Sequence, residues 1–556
     1  MSKWHFLTIT DEVIQGEKKM KFSHSLTCLI TIISALATTE VAFPAPTLTE
    51  MATMRDGVKL ATDVYLPKSD GVFPVILVMT PYNKNGLEAW AMMAMQKGYA
   101  FVSQDFRGRF SSEGDDYPVF MSYGWGKHQD GYDTVEWIAS QKWCNGKVGT
   151  LGLSGPGIAQ NMMSPTRPPH LVCQYVGVAY SSAYHQSAYQ GGAFRKDLWE
   201  RWLNDNKFDP ETMKLTREHP DYDDYWKAQN TELVADRVNV PSMYIGGWYD
   251  IFNIGTINSF LTINKNGDVG ARGKCRLVME AYGHGRNQEM AFPNSEMPKS
   301  ADMLNWFDIW MKNDGKDIGT IPNVQYFVMG DPSDKSANVW KTAEDWPVPS
   351  KITPYYFISD GTLQAQPSDK SNVLLSYKYD PKNPVPTMGG NNLYDPKGPM
   401  DQKDVDNRPD VLVFTSQALE QPLEIAGNLK VKLKASSSAV DTDFTAKLCD
   451  VYPDGKSIIV ADGIIRACHR NSLEKRELLE SGKVYEFEID LWDTAMIFSK
   501  GHKIRVAISS SNSPRFESNP NTGKPSGVDD ETIIATNTIY LDKENPSCIF
   551  LPVVSQ

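Results

Sequence analysis

Three residues, far apart in the chain, are of the types that do nucleophilic chemistry together. Ser154 lies in "VGTLGLSGPGIAQ", Asp250 ends "MYIGGWYD", and His284 follows "CRLVMEAYG" between Gly283 and Gly285. A serine hydroxyl is a weak nucleophile at neutral pH. It needs a base within hydrogen-bond reach, and an imidazole base needs a carboxylate to fix its tautomer. Serine, then acid, then histidine is the order in which such groups follow successive strands of an open α/β sheet. The serine falls where "VGTLGL", an apolar run read as a buried strand, meets "PGIAQNMM", which can open a helix. The residues from Trp143 to Lys147 read as the turn before that strand. Gly152 and Gly157 leave the backbone room to bend sharply. The usual spacing G-x-S-x-G is missed, because the second glycine arrives one residue late at Gly157. Taken alone, the stretch reads equally as an ordinary tight turn.

Acyl transfer also needs donors for the oxygen that gains negative charge. On such a sheet one is the backbone N–H after the nucleophile, here that of Gly155, and the second comes from the loop after an early strand. That loop is "VMTPYNKNG", with no glycine-rich amide run, but Tyr82 in it presents a phenol able to donate. Packing against a covering segment is the competing role for Tyr82. The other histidines fit less well: His128 and His170 lie in early loops, His185 and His219 in an aromatic-rich helical stretch, His469 and His502 in a β-rich region. The chemistry requires no metal and no organic cofactor.

These residues need a scaffold, and the first third supplies its pattern. "EMATMRDGVKLATDVYLP" reads as a hairpin turning at Asp56-Gly57. "FPVILVMTPY" is a continuous apolar run, expected of a strand covered on both faces. "LEAWAMMAMQKG" then reads as helix, "YAFVSQDFRG" as strand, and "DGYDTVEWIASQKW" as amphipathic helix. The alternation predicts βαβ units and a mainly parallel sheet, an α/β fold class. We read residues 46–177 as the first part of this α/β domain and 178–238 as an inserted helical cap with no strand signal. Residues 239–320 resume the domain, closing on the helix "SADMLNWFDIWMKNDG". From 321 to 556, short strands punctuated by Pro, Gly, Asp and Asn predict a β-sandwich or jelly roll. The turn-rich segment near Asp380–Asp410 is expected to lie over the catalytic domain.

The 556 residues, 41% of them hydrophobic, can form two or three domains with real cores. A net charge of −12 argues against a nucleic-acid partner, which would call for a basic face. Near the N-terminus, Lys18, Lys19 and Lys21 precede an apolar run from Leu26 to Ala37 that ends in the A-x-A pattern Ala35-Leu36-Ala37. That run is too short to span a bilayer and reads as a signal peptide over residues 20–37, starting at Met20. A secreted or periplasmic protein follows, and a buried core helix is the alternative for the same run. Beyond Cys28, six scattered cysteines without a C-x-x-C read mainly as packing residues, with room for one or two bridges.

The motifs "DVYLP", "TPY", "DFRGRFSSEG", "DGYDTVEWIASQKWCNGKVG", "GLSGPG", "GGWYDIF", "GHG" and "ISSSNSPRFESNPNTG" occur in order from about Leu48 to the C-terminus. Together they resemble the X-prolyl dipeptidyl-peptidase-like serine hydrolase family, the cocaine esterase, glutaryl-7-aminocephalosporanic acid acylase and α-amino-acid ester hydrolase group. The resemblance implies an α/β-hydrolase domain, an inserted helical cap and a C-terminal jelly roll. It further implies Ser154 as nucleophile, Asp250 and His284 as its triad partners, and Tyr82 with the Gly155 amide as oxyanion hole. The family usually has tyrosine after the nucleophile; Gly155 stands there instead and is expected to widen the acyl site. The histidine motif usually carries tryptophan and here reads "AYGHGR". No acidic cluster for a substrate ammonium is legible. The expected activity is cleavage of a small-molecule ester or activated amide by an exported serine hydrolase. An X-Pro dipeptidyl-peptidase and a non-catalytic carbohydrate-binding jelly roll are the alternatives, and a homo-oligomer is left open.

Overall fold

The computed structural model describes residues 43–285, 290–312, 315–525 and 531–555. The signal-peptide reading at 20–37 lies outside the described residues. No helix among them is long and apolar enough to cross a membrane.

The hairpin forms as read, β1 (Leu48–Thr53) pairing antiparallel with β2 (Lys59–Tyr65). Strands β3 (Phe73–Thr80), β4 (Ala100–Asp105), β5 (Cys144–Leu153) and β6 (Leu171–Gly177) follow. Next come the two-residue strands β7 (Tyr189–Gln190) and β8 (Ala193–Phe194), then β9 (Ser242–Tyr249), β10 (Arg276–Gly283), β11 (Val324–Val328) and β12 (Val339–Ala343). Ten of these make one sheet in the order β1-β2-β4-β3-β5-β6-β9-β10-β11-β12, and every pairing from β4 through β11 is parallel. Helices α1 (Glu88–Gln96), α2 (Asp130–Ala139) and α3 (Gly155–Met163) link the early strands.

Side chains alternate between the faces of a strand, so a run covered on both sides must be apolar throughout. In β3, Val75, Leu77 and Met79 join α2, α3 and helix Asn253–Asn266 in one core cluster. Ile76 and Val78 join α1 and helix Met303–Met311 in another. Placing the helices on opposite faces in this way leaves the carboxyl ends of the strands free for a site.

The structure corrects three details. The residues from Cys144 onward belong to β5, with Phe73 opposite Cys144 and Val75 opposite Val148. The turn read there is a bulge, with Gly146 at φ 82° absorbing the extra residues. The cap, read without strands, contains the tight β7–β8 hairpin among its short helical turns. The β-rich part, read as starting at 321, begins with β11 and β12, which complete the large sheet. Its own two sheets start at Lys351.

The first of these is seven-stranded and built around the long strands Leu423–Ser437 and Tyr485–Phe498; the second has four strands, including Asp443–Val451 and Lys503–Ser509. Ring contacts between Phe444 and Phe487 at 4.7 Å and Phe357 and Phe414 at 4.6 Å join their inner faces. All six described cysteines are free, and five are buried.

Candidate active site

Ser154 stands between β5 and α3 with φ 60° and ψ −126°, outside the regions that side-chain-bearing residues ordinarily occupy. Such a conformation costs about 1–3 kcal/mol and persists only where the surroundings enforce it. They do so here. A Cβ on Gly152 would lie 2.5 Å from the Cβ of Pro156, and one on Gly157 would lie 2.8 Å from the carbonyl of Gly177. The late glycine therefore serves the approach of α3 to β6. The Ser154 amide donates to the Gly177 carbonyl at 3.0 Å and its carbonyl accepts from Ile158 at 2.8 Å, fixing both sides of the bend.

The structure brings the three separated residues together. His284 Nε2 lies 3.0 Å from Ser154 Oγ, and His284 Nδ1 lies 2.7 Å from Asp250 Oδ2. Asp250 is fully buried, and its second oxygen accepts the Phe252 amide at 2.7 Å. An ionised carboxylate only accepts, so Nδ1 carries the proton and Nε2 is left to accept from the serine hydroxyl. Phe252 packs edge-on against the imidazole at 5.8 Å and 88°, limiting its rotation.

Tyr82 follows β3. Its hydroxyl is in hydrogen-bond contact with the Ser154 side chain, the Gly155 amide and the indole N–H of Trp202, the last at 3.3 Å. Burial is the main influence on the phenol and pushes its pKa up, so it remains a protonated donor. The expected widening beside Gly155 is not what the structure contains. A Cβ there would meet Pro81 Cγ at 2.9 Å and the Tyr82 hydroxyl at 3.0 Å, so Pro81 and Tyr82 already occupy that space. Glycine at 155 is what allows the phenol to come so close to the amide.

Three neighbours were not legible in the sequence. Trp202, from the cap, stacks on Phe120 at 6.1 Å and packs at a tilt against Phe208 at 4.7 Å while donating to Tyr82. Asn391 Nδ2 donates to the carbonyls of Trp248 at 3.0 Å and Asp250 at 2.8 Å. Lys397 Nζ donates to the His284 carbonyl at 3.3 Å. The last two lie in the turn-rich segment expected to cover the catalytic domain, and it does so.

A strained serine at a strand-to-helix bend, with an imidazole on one side and a phenol and a backbone amide on the other, defines an α/β-hydrolase of the serine type. Models of the X-Pro dipeptidyl-peptidase (S15 family) match residues 56–212 and 200–286, and a model of the X-Pro dipeptidyl-peptidase C-terminal non-catalytic domain matches 317–549. The cocaine esterase of Rhodococcus sp. (strain MB1 Bresler) is 32% identical over 91% of this chain and 98% of its own. The chain belongs to the X-prolyl dipeptidyl-peptidase-like family of serine hydrolases. Among solved structures, an α-amino acid ester hydrolase superposes with a TM-score of 0.77 at 26% identity, covering 94% of this chain and all of that one. An aminopeptidase from a marine sediment Thaumarchaeota archaeon reaches 0.80 at 22% identity over 96% of this chain and 100% of its own, a likeness of fold.

Proposed function

We propose that this chain cleaves an ester or activated amide through an acyl-enzyme on Ser154, and that it does so after export, with a secreted or periplasmic location. The observation that carries the chemistry is the unbroken line from Asp250 through His284 to Ser154, with the Tyr82 phenol and Gly155 amide beside the nucleophile. His284 takes the serine proton as Oγ attacks the acyl carbon, then returns it to the departing alkoxide or amine. Asp250 holds the tautomer and balances the imidazolium. Water, activated by the same imidazole, attacks the acyl-enzyme and releases the acid. The chain's likeness to a cocaine esterase and to an α-amino acid ester hydrolase supports small acyl or amino-acyl esters; a β-lactam side-chain acyl group is the amide substrate we add to the panel. Release of X-Pro dipeptides is the second reading, supported by the family-model descriptions. The hydrogen-bonded triad favours either enzyme over a carbohydrate-binding protein.

The test combines fluorophosphonate labelling with turnover of p-nitrophenyl esters, amino-acid esters, a β-lactam side-chain amide and Ala-Pro anilide. Labelling of the wild type, its loss in Ser154→Ala, and ester turnover are the expected results. Absence of labelling would remove the acyl-enzyme, and anilide turnover without ester turnover would replace the esterase with the peptidase. In Asp250→Asn the wrong tautomer is favoured, and kcat is expected to fall on the order of 10⁴-fold.

A further inference from the structure

The acid and the histidine of the triad stand on two loops, after β9 and β10, and one short segment of the β-rich part reaches both. Asn391 Nδ2 donates to the backbone carbonyls of Trp248 and Asp250. Six residues on, Lys397 Nζ donates to the backbone carbonyl of His284 at 3.3 Å and to that of Leu393 at 3.5 Å. The peptide between them is braced by Asn392, whose amide donates to the carbonyls of Gly389 and Pro396, and by Arg195 of the cap, which donates to the Asn391 carbonyl. Lys397 is 7% exposed, so its cation is held out of water. Carbonyl contacts alone are a poor return for burying an ammonium, which is expected to reduce stability against an apolar residue of similar length.

From this juxtaposition we propose that Asn391 and Lys397 are positioning residues. They hold the Asp250 and His284 loops at the separation the triad needs. The inference rests on the triad reading above. The charged groups that attract Lys397 are Asp395 on the same segment and Asp250 after β9. Burial, which outweighs the attraction of Asp395 and Asp250, lowers the pKa of Lys397.

The experiment compares wild type, Lys397→Met, Lys397→Arg and Asn391→Ala on an ester that the wild type turns over, reading kcat, KM and Tm. Lys397→Met is expected to lower kcat about tenfold with KM nearly unchanged, because a displaced base is a geometric loss. Its Tm should hold or rise. Lys397→Arg, which keeps charge and donors, should recover most of kcat. Asn391→Ala should lower kcat with KM nearly unchanged. Should Lys397→Met not fold, Lys397→Gln is held to the same criteria. Unchanged kcat in the neutral variant would overturn the proposal. So would losses of kcat and Tm that run in parallel and that arginine does not restore. Failure of the wild type itself to take a fluorophosphonate would instead overturn the triad reading, and the clamp with it.

Discussion

Tyr82 presents a single oxygen to Ser154, and the oxyanion role proposed for the residue passes through that atom. Tyr82→Phe removes a donor and almost no volume. The donor matters as charge builds on the acyl oxygen, so the loss belongs in kcat rather than KM. A reduction of roughly 10²–10³, or about 3–4 kcal/mol, is expected for one oxyanion donor. Steady-state kinetics decide it, and a kcat within about threefold of wild type would transfer the role to backbone amides. Trp202→Phe offers a graded companion. It keeps a ring against Phe120 and Phe208 but withdraws the indole N–H that steers the phenol. Its kcat should fall by less than that of Tyr82→Phe, and in the double variant the tryptophan change should add almost nothing. Additive effects would mean that Trp202 acts elsewhere in the site.

At the scale of elements, the bend that carries Ser154 depends on α3 lying close against β5 and β6. Gly152→Ala puts a methyl group 2.5 Å from Pro156 Cβ, a contact neither backbone can relieve without moving α3. We expect a loss of about 1–3 kcal/mol in stability, typical of overpacking, with a still larger relative fall in labelling rate because the hydroxyl is displaced as well. Chemical denaturation beside fluorophosphonate kinetics measures both, and a variant with wild-type stability would show the helix free to shift. This element was legible because its signals are local: an apolar run, glycines at short range and a helix-opening proline lie within thirteen residues. Asp250 and His284 were legible because each ends an apolar run. Asn391 and Lys397 were not, since the loop carbonyls they reach are more than a hundred residues away and any residue supplies a carbonyl. The bulge at Cys144 was missed for a related reason. Gly146 marks a break in the chain direction equally well in a turn or in a paired strand, and only the register with β3 distinguishes the two.

At the scale of the molecule, the hydrolase sheet and the β-rich part meet at polar as well as apolar contacts, and one of these titrates. His502 is buried with Nδ1 on both oxygens of Asp450, at 2.9 and 3.0 Å, and Nε2 3.4 Å from Asp331, just beyond β11. Burial alone would pull the imidazole down, but Asp450, with Asp331 and Asp334, outweighs it and raises the pKa above the usual histidine value. A raised folded-state pKa means that its stabilising contribution is complete below the unfolded value and is lost as pH rises through the folded one. Tm measured from about pH 6 to about pH 9 should therefore fall more steeply in wild type than in His502→Gln. Parallel profiles would show that the imidazole stays neutral throughout.

The strand that carries the acid makes a further demand. The Trp248 indole donates to the Phe327 carbonyl at 2.7 Å, the Tyr249 hydroxyl to that of Ile459 at 2.8 Å, and the Asn253 amide to that of Asp493 at 3.1 Å. Separating the hydrolase part from the β-rich part would take these acceptors away from donors that all lie before the cut, and the Trp248 and Tyr249 donors, left buried and unpaired, would each cost about 1–3 kcal/mol. Recombination between relatives is thus constrained in an uneven way. A crossover within the first six strands exchanges material whose partners lie mostly nearby, whereas one near residue 320 must import a matching set of carbonyls. Chimaeras built at the two places should differ in yield of folded protein, and what is inherited intact is the pairing across that seam.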